Sequence, residues 1–397
     1  MSLIPADNHL AVFAAIMVIA SAAFLLERNR LCAQLTGAVI AILLAIAASN
    51  LHIIPHDAPA YGFIFSYIVP ALIPLFLFQA DLRRLLREAS RTTAAFMLAT
   101  LGTITGVAVA AVLLDLGALA AAADTIPARR EAAIVGLFAS TYIGGSVNYA
   151  ALGEVTGLNS DASFFAAATA ADNLFSAVYL SVLALLPGLH WLSRHFVPHT
   201  ATPITTQAST ELMDQSATTD PSERPGAVTA TSLCLALAAA VALVAITDAL
   251  VTWLNLGGWR YVVLTLLTLG LATGLPQLRQ YLAGGFELGV ALSFSFFAAI
   301  AAGANITAMV SVAPLLIALV LILLTVHLAV LLSLGALCRL TLPELITASN
   351  AAVLGATTAP AMAATKGWHD QVTPGVLVGV LGYALGTVIG TTLFQFW

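Results

Sequence analysis

The residues of this sequence best suited to chemistry are an acid and an amide that lie side by side in an apolar run. Asp172 and Asn173 fall near the middle of the run 161–187. A charged side chain at the centre of a bilayer costs roughly 2.5–3.5 kcal/mol on insertion scales, so membrane chains rarely carry one without a use. Such a carboxyl group can bind H⁺ or Na⁺ in turn, whereas a structural acid would be hydrogen-bonded to a neighbouring helix. We interpret both residues as candidate ion ligands.

A glycine-containing interruption precedes this pair. The apolar segment 131–157 contains YIGGSVN at 142–148. Glycine favours a break in the helix ladder, and the two helix ends at a break carry opposite partial charges, which can hold a cation and an anion at one point. A tight helix–helix contact through small residues is the alternative. The candidate binding residues in this stretch are Thr141, Gly144, Gly145, Ser146 and Asn148.

A second interruption lies near the other end of the chain, where 354–360 reads LGATTAP. Paired interruptions at corresponding places in two halves point to a transporter site. Aligning the two breaks places Gly382 and Tyr383 where Asp172 and Asn173 stand, so the second half supplies no matching acid. The candidate binding residues here are Asn350, Gly355, Thr357, Thr358 and Tyr383.

The elements that must position these residues are membrane helices. Of 397 residues, 60% are hydrophobic and 8% are charged, and the mean hydropathy is +0.99. Many apolar runs reach the roughly 20 residues that a helix needs to cross a bilayer. We predict an all-α polytopic membrane protein of 11–13 transmembrane helices. The continuous apolar runs do not fit a β-barrel.

The chain divides into two related halves joined by a polar connector. We predict a first repeat half over 1–187, a flexible linker over 188–226 and a second half over 227–397. Each half contains one discontinuous helix. Counted as continuous crossings, the spans give both halves the same topology. An inverted arrangement would require one span to be interfacial or re-entrant, and 227–250 or 259–275 are the spans we expect to be so.

Arginine residues give an orientation through the positive-inside rule. The group that includes Arg83, Arg84 and Arg87 is placed in the cytoplasm, whereas Arg129 and Arg194 are placed on the opposite side. This interpretation puts the N-terminus and the linker outside.

Several function classes are disfavoured by what the sequence lacks. It contains no GxxxxGK[ST], GxSxG, HExxH or CxxC motif. Asp172 also has no second acid at a matched depth, so an enzyme is not expected. No basic run suggests nucleic acid. His327 lies in a strongly apolar span, and we favour a packed, neutral histidine there over a proton relay.

The motifs LFLFQADLR at 75–83, YIGGSVN at 142–148, AADN at 170–173 and FSFFAAIAAGAN at 294–305 resemble the YjcL-like family of uncharacterised multi-pass membrane proteins. The likeness covers most of the chain outside 195–226. The broken helix followed by an acid is also distantly similar to cation/proton antiporters and bile-acid-type symporters. These resemblances imply a location in the bacterial inner (plasma) membrane and a fold with a core and a panel domain. In the core, two discontinuous helices would cross at mid-membrane, with Asp172 and Asn173 as the ion-site pair.

The function predicted from these features is secondary transport of a small solute, coupled to H⁺ or Na⁺. A passive channel or facilitator is one alternative, and a non-transporting scaffold or sensor subunit is another. Apart from Na⁺ at Asp172 and Asn173, no cofactor or metal is expected. The expected partners are a small-molecule solute, the coupling cation and the lipid bilayer, and a homodimer is an open alternative to a monomer.

Overall fold

The computed structural model describes residues 2–27, 37–80, 82–198, 227–304 and 306–397. The side chains of 146–147 and 306–308 lie outside this description. The described residues form helices joined by turns, and they contain no β-strand beyond one isolated bridge between Val197 and Thr341. The all-α prediction is confirmed.

Eight helical segments are long and apolar enough to cross a membrane. Their apolar residues surround the helix instead of forming one stripe, as expected of helices buried in lipid and protein. They are α1 (His9–Glu27), α3 (Pro59–Leu77), α5 (Ser90–Leu113), α8 (Ala162–Leu185), α9 (Ala230–Leu254), α11 (Gly285–Ala302), α12 (Ile306–Leu337) and α15 (Val372–Phe396).

Besides the four-residue helices His190–Ser193 and Leu278–Tyr281, seven shorter helices complete the bundle among the described residues. Two of them, α2 and α10, run between the same two ends as the long helices, and α4 is a short amphipathic helix at one end. The remaining four form the two interrupted segments. In chain order they are α2 (Gly37–Asn50), α4 (Leu82–Glu88), α6 (Arg130–Gly144), α7 (Ser146–Thr156), α10 (Arg260–Gly274), α13 (Leu342–Leu354) and α14 (Thr358–Thr365).

Helix α3 is locally widened, as its prolines predict. Residues Ile64–Ile68 form a π-helical turn immediately before Pro70. Proline lacks the amide hydrogen of a regular helix and its ring crowds the preceding turn, so a wider turn accommodates it. Pro74 then lies inside the helix.

The first interrupted segment turns back on itself. Helix α6 begins beside the loop that precedes it, where Arg130 donates to the Ala121 carbonyl at 3.0 Å. Helix α7 ends beside the same loop, because Thr125 donates to the Thr156 carbonyl at 2.6 Å. The two helices therefore enter and leave at one end of the bundle, as a re-entrant hairpin with its tip at Gly145.

The second interrupted segment does the same from the other end. Helix α13 begins where Glu344 accepts from Arg91 Nε at 2.6 Å. After α14, Gln371 accepts from Thr92 Oγ1 at 2.8 Å. Since Arg91 and Thr92 are neighbours at the start of α5, this hairpin also enters and leaves at one end.

The hairpins change the count of crossings. The count of 11–13 treated both interrupted segments as crossings, whereas in the structure ten described segments run from end to end: the eight long ones, α2 and α10. Five of these lie on each side of the linker, which is an odd number, so the second series runs opposite to the first. The expectation that 227–250 or 259–275 would be re-entrant is wrong, since α9 and α10 occupy those positions as end-to-end helices.

Charge marks the two ends of the bundle. The end that contains α4 and the start of α5 is called here the arginine-rich end. The segment around Arg194 also lies there, because Val197 pairs with Thr341, so placing Arg194 on the opposite side was wrong. Gly284 lies against Val228 at this end too. Both residues that flank 199–226 thus lie at the arginine-rich end, and the positive-inside rule predicts that this end faces the cytoplasm. Its described basic residues are Arg83, Arg84, Arg87, Arg91, Arg194, Arg279, Arg339 and Lys366, against Arg129, Arg130 and Arg260 at the opposite end.

The helices form two groups that pack mainly within themselves. Helices α1, α2, α3, α9, α10 and α11 form a panel group, and the others, except α4, form a core group. Within the core group α5 and α12 are antiparallel and very close. A Cβ atom on Gly102 would lie 2.7 Å from the His327 carbonyl oxygen, and one on Gly106 would lie 2.6 Å from that of Leu323. Both hairpins belong to the core group and place their tips between its helices.

Candidate functional site

Asp172 lies buried in the middle of α8, with 9% of its surface exposed. Ser176 Oγ lies 3.5 Å from Asp172 Oδ1, which makes this a long hydrogen bond. The hydroxyl of Tyr142 faces the same carboxyl group from α6. Tyr142 is fully buried, yet its hydroxyl makes no well-formed hydrogen bond with a described residue. An acid and a hydroxyl facing each other with spare hydrogen-bonding capacity can together bind a proton or a small cation.

The first hairpin tip depends on one unusual backbone conformation. Gly145 has φ 75° and ψ −167°, a region that is accessible almost only to glycine. Gly144 is required for a different reason, since a Cβ atom there would collide with the Asn148 amide and the Gly382 carbonyl. Ser146 begins α7, and its side chain lies outside the described part of the structure.

Asn148 fastens this tip to α15. Its Nδ2 donates to the Gly382 carbonyl at 3.2 Å, and its Oδ1 accepts from Thr387 Oγ1 at 3.1 Å. Asn148 is completely buried. Its amide is therefore occupied in holding the tip. Thr141, another predicted ligand, turns its hydroxyl back to the Leu137 carbonyl at 2.8 Å and is not directed at Asp172 by any hydrogen bond.

The second hairpin tip repeats the backbone of the first. Gly355 has φ 96° and ψ −174°. Asn350 joins the two limbs of the hairpin, since its Oδ1 accepts from Thr358 Oγ1 at 2.6 Å. Thr357 lies at the turn and is exposed. Asn350 and Thr358 are therefore hydrogen-bonded to each other, and in this structure the pair stabilises the hairpin.

Tyr383 lies at the junction of the second tip with the panel group. A Cβ atom on Gly355 would lie 3.7 Å from the Tyr383 hydroxyl. The Tyr383 ring packs against Phe76 of α3, with 5.3 Å between ring centroids, and against Phe286 of α11 at 6.4 Å. Gly382, next to it, contacts the first tip. The consecutive residues Gly382 and Tyr383 on α15 thus touch both hairpin tips.

The structure gathers the predicted residues into two subsets. Asp172 and Asn173 lie on α8, where Asn173 Nδ2 donates to the Thr169 carbonyl at 2.8 Å. Gly144, Asn148 and Gly355 contact α15, the helix that contains Tyr383. Tyr142 belongs to the same site, although it did not stand among the predicted ligands. Its signal was available in the YIGGSVN motif, where a tyrosine directly precedes the break.

A family model described as "Protein of unknown function (DUF819)" matches residues 14–396. The chain belongs to this family. A DUF819 relative is the "Uncharacterized membrane protein YjcL" of Bacillus subtilis (strain 168), which is 33% identical over 401 residues covering 98% of this chain and 97% of the relative. The likeness to a YjcL-like family is confirmed. With eight apolar helices of spanning length, this DUF819 chain is an integral multi-pass membrane protein.

Proposed function

We propose that this protein is a secondary transporter that moves a small solute by alternating access, coupled to H⁺ or Na⁺. The observation that carries the proposal is the meeting of two opposed hairpins next to one buried carboxyl group. Gly144 and Gly355, at the two tips, contact Gly382 and Tyr383 of one helix, and Tyr142 connects the first tip to Asp172. Helix ends at such tips supply partial charges of both signs within the bundle.

The proposal includes an inverted repeat. Asp172 lies 27 positions after Gly145, and Gly382 lies 27 positions after Gly355. The glycines share one rare backbone conformation, and five crossings in each half reverse the direction of the second. Inverted repeats around a central site are the framework of alternating access, because two nearly equivalent arrangements open to opposite sides.

The halves 1–187 and 227–397 can be tested through the topology of their hairpins. In a cysteine-free background, we expect single cysteines at 131 and 159 to react with an impermeant maleimide from one side of the membrane. Cysteines at 341 and 366 should react only from the other side. A pair whose two members react from opposite sides would mean that its hairpin crosses the membrane, and the inverted arrangement would be lost.

One acid implies one coupled cation. The position equivalent to Asp172 in the second half is Gly382, which carries no side chain and contacts the Ile143 carbonyl. A lone carboxyl group can alternate between a protonated state and a cation-bound state, and both are neutral overall. We therefore propose one H⁺ or one Na⁺ per cycle, bound by Asp172 and Asn173 with Tyr142 beside them.

The test is ion-dependent stability of the purified protein. Thermal unfolding would be measured in NaCl and in choline chloride at two pH values, for the wild type, D172N and D161N. Saturation at 100 times Kd stabilises a folded protein by about 2.7 kcal/mol, a readily measured shift. Asp161 is a matched control, since it is the N-cap of the same helix and asparagine caps about as well as aspartate.

We expect the unfolding temperature of the wild type and of D161N to depend on Na⁺ or on pH, and that of D172N to lose this dependence. Equal responses in wild type and D172N would refute the coupled-ion site. Single-channel currents that need no driving ion would favour the passive channel, and full tolerance of D172N by every function measured in cells would favour the scaffold.

A further inference from the structure

A buried chain of hydrogen bonds connects the helix of Asp172 to the first hairpin through His327. Tyr179 Oη lies 2.7 Å from Ser349 Oγ, which lies 2.9 Å from His327 Nε2. On the other side of the ring, His327 Nδ1 lies 2.8 Å from Thr103 Oγ1, and Thr103 donates to the Tyr142 carbonyl at 3.0 Å. The chain thus passes through α8, α13, α12, α5 and α6.

The hydrogen on each side of the ring follows from the number of protons available. Thr103 has one hydroxyl hydrogen, and it lies within reach of two carbonyl oxygens, those of Tyr142 and Ala99. Carbonyl oxygens can only accept. The Tyr142 carbonyl also needs a hydrogen-bond donor from another helix, because the break at Gly145 ends the backbone hydrogen bonding of α6 just after Tyr142. Thr103 Oγ1 must then accept from His327, so Nδ1 carries the hydrogen.

The other nitrogen completes the assignment. With Nδ1 protonated, a neutral imidazole accepts at Nε2, and Ser349 donates to it. Ser349 Oγ can then accept the hydroxyl hydrogen of Tyr179. Every donor in the chain finds an acceptor in this arrangement. A doubly protonated ring would reverse the Ser349–Tyr179 half and bury a positive charge among residues that are fully or nearly fully covered, with His327 and Ser349 both at 0% exposure.

We infer that His327 is a neutral Nδ1–H imidazole that acts as a positioning residue for the Asp172 site, fixing α8 relative to both hairpins. Tyr179 lies seven residues after Asp172, about two turns along the same helix. The other end of this chain of hydrogen bonds holds the backbone carbonyl of Tyr142, whose hydroxyl faces Asp172. Asp172 and Tyr142 are thus both anchored to one ring.

The position of the imidazole ring is also fixed through the backbone of His327. Gly102, next to Thr103, approaches the His327 carbonyl so closely that a Cβ atom would lie 2.7 Å from it. This contact fixes the distance between α5 and α12 at the level of the imidazole. A residue that fills space alone would need neither hydroxyl neighbour, whereas this one bonds to a hydroxyl at each nitrogen.

The tautomer can be read from the ¹⁵N spectra of protein labelled at its histidines, of which the chain has eight. His327→Asn identifies the signals by difference. We expect an Nδ1–H tautomer in the wild type. In T103V, which removes the acceptor but keeps the shape, we expect the signal to switch to the Nε2–H tautomer, since Ser349 can still accept. Thr100→Val is the matched control: Thr100 is also buried on α5, its hydroxyl has no partner in the described structure, and the wild-type tautomer should persist.

The positioning role is measured by the ion-dependent thermal shift, and in this respect alone it rests on the proposed function. We expect at least a threefold weaker apparent ion affinity in T103V and H327L, and near wild-type affinity in T100V. His327→Asn should recover most of the affinity, since its amide nitrogen occupies the place of Nδ1 and can donate to Thr103.

A wild-type Nε2–H or doubly protonated ring would overturn the inference whatever the transport data show. An unchanged tautomer in T103V would overturn it as well. If the tautomers are as expected but neither the wild type nor any variant responds to ions, the proposed function is refuted. The assignment of the hydrogens around His327 then still stands. If the wild type responds and H327L responds equally, His327 is not a positioning residue.

Discussion

The two hairpin tips share a backbone conformation and differ in the helix that follows each of them in the sequence. Gly145 and Gly355 adopt nearly the same rare conformation. At equal distances along the chain stand Asp172 in α8 and Gly382 in α15. The helix after the first tip brings a carboxyl group, and the helix after the second tip brings a glycine that lets α6 approach.

The second of these helices is a packing surface. Along α15, a Cβ atom on Gly386 would lie 2.7 Å from the Ser140 carbonyl oxygen, and one on Gly390 would lie 2.8 Å from that of Gly136. Close backbone approach through small residues is how membrane helices associate without a hydrophobic driving force. The comparison teaches that two tips with the same backbone conformation can be followed by helices with different tasks: α15 holds the hairpins together, and α8 carries the carboxyl group.

The largest difference in stability should appear between two variants that exchange the residue types at positions 172 and 382. We expect Gly382→Asp to destabilise the protein by more than about 3 kcal/mol, because overpacking and a buried charge add. A Cβ atom there would lie 2.6 Å from the Ile143 carbonyl oxygen. Asp172→Gly should cost only about 1 kcal/mol, the penalty of glycine in a helix, while the ion response disappears. Detergent-solubilised yield and thermal unfolding measure both, and similar stability losses in the two variants would contradict the division of tasks.

The two tip glycines should respond equally and more weakly. Gly145→Ala and Gly355→Ala each place a Cβ atom on a backbone conformation that costs roughly 1–3 kcal/mol for other residues. Space is not the limit at Gly145, because no non-neighbouring heavy atom of the described structure lies within 4 Å of the added carbon. Gly270→Ala, in α10 and equally open, is the control and should be neutral or slightly stabilising. Thermal unfolding checks this, and a loss confined to one tip would show that the tips are not equivalent.

The sequence predicts much of this arrangement, and its failures have identifiable causes. Glycine-containing interruptions within apolar runs located both breaks to within a residue or two, and the cost of a mid-membrane acid singled out Asp172. The direction of the chain after each break was not predictable, because a glycine break permits an unwound crossing as well as a hairpin. Long-range contacts decide it, such as that of Thr125 with Thr156.

The same limit applies to His327 and to the side on which Arg194 lies. A single histidine in an apolar run is most often packed, and nothing in the sequence near it indicates that Thr103 and Ser349 will flank its ring. Both hydroxyls arrive from other helices, more than 20 residues away along the chain. The end of the bundle at which Arg194 lies follows from the pairing of Val197 with Thr341, which no local sequence pattern predicts.

The central claim is that the Asp172 carboxyl group binds the coupling cation, and infrared difference spectroscopy tests it most directly. Reconstituted protein would be perfused alternately with NaCl and choline chloride, and then stepped between two pH values. We predict a carboxyl or carboxylate band that changes with Na⁺ or with pH in the wild type and in D161N, and that is absent in D172N. The same band in D172N, or no carboxyl change in the wild type under either exchange, would contradict the claim.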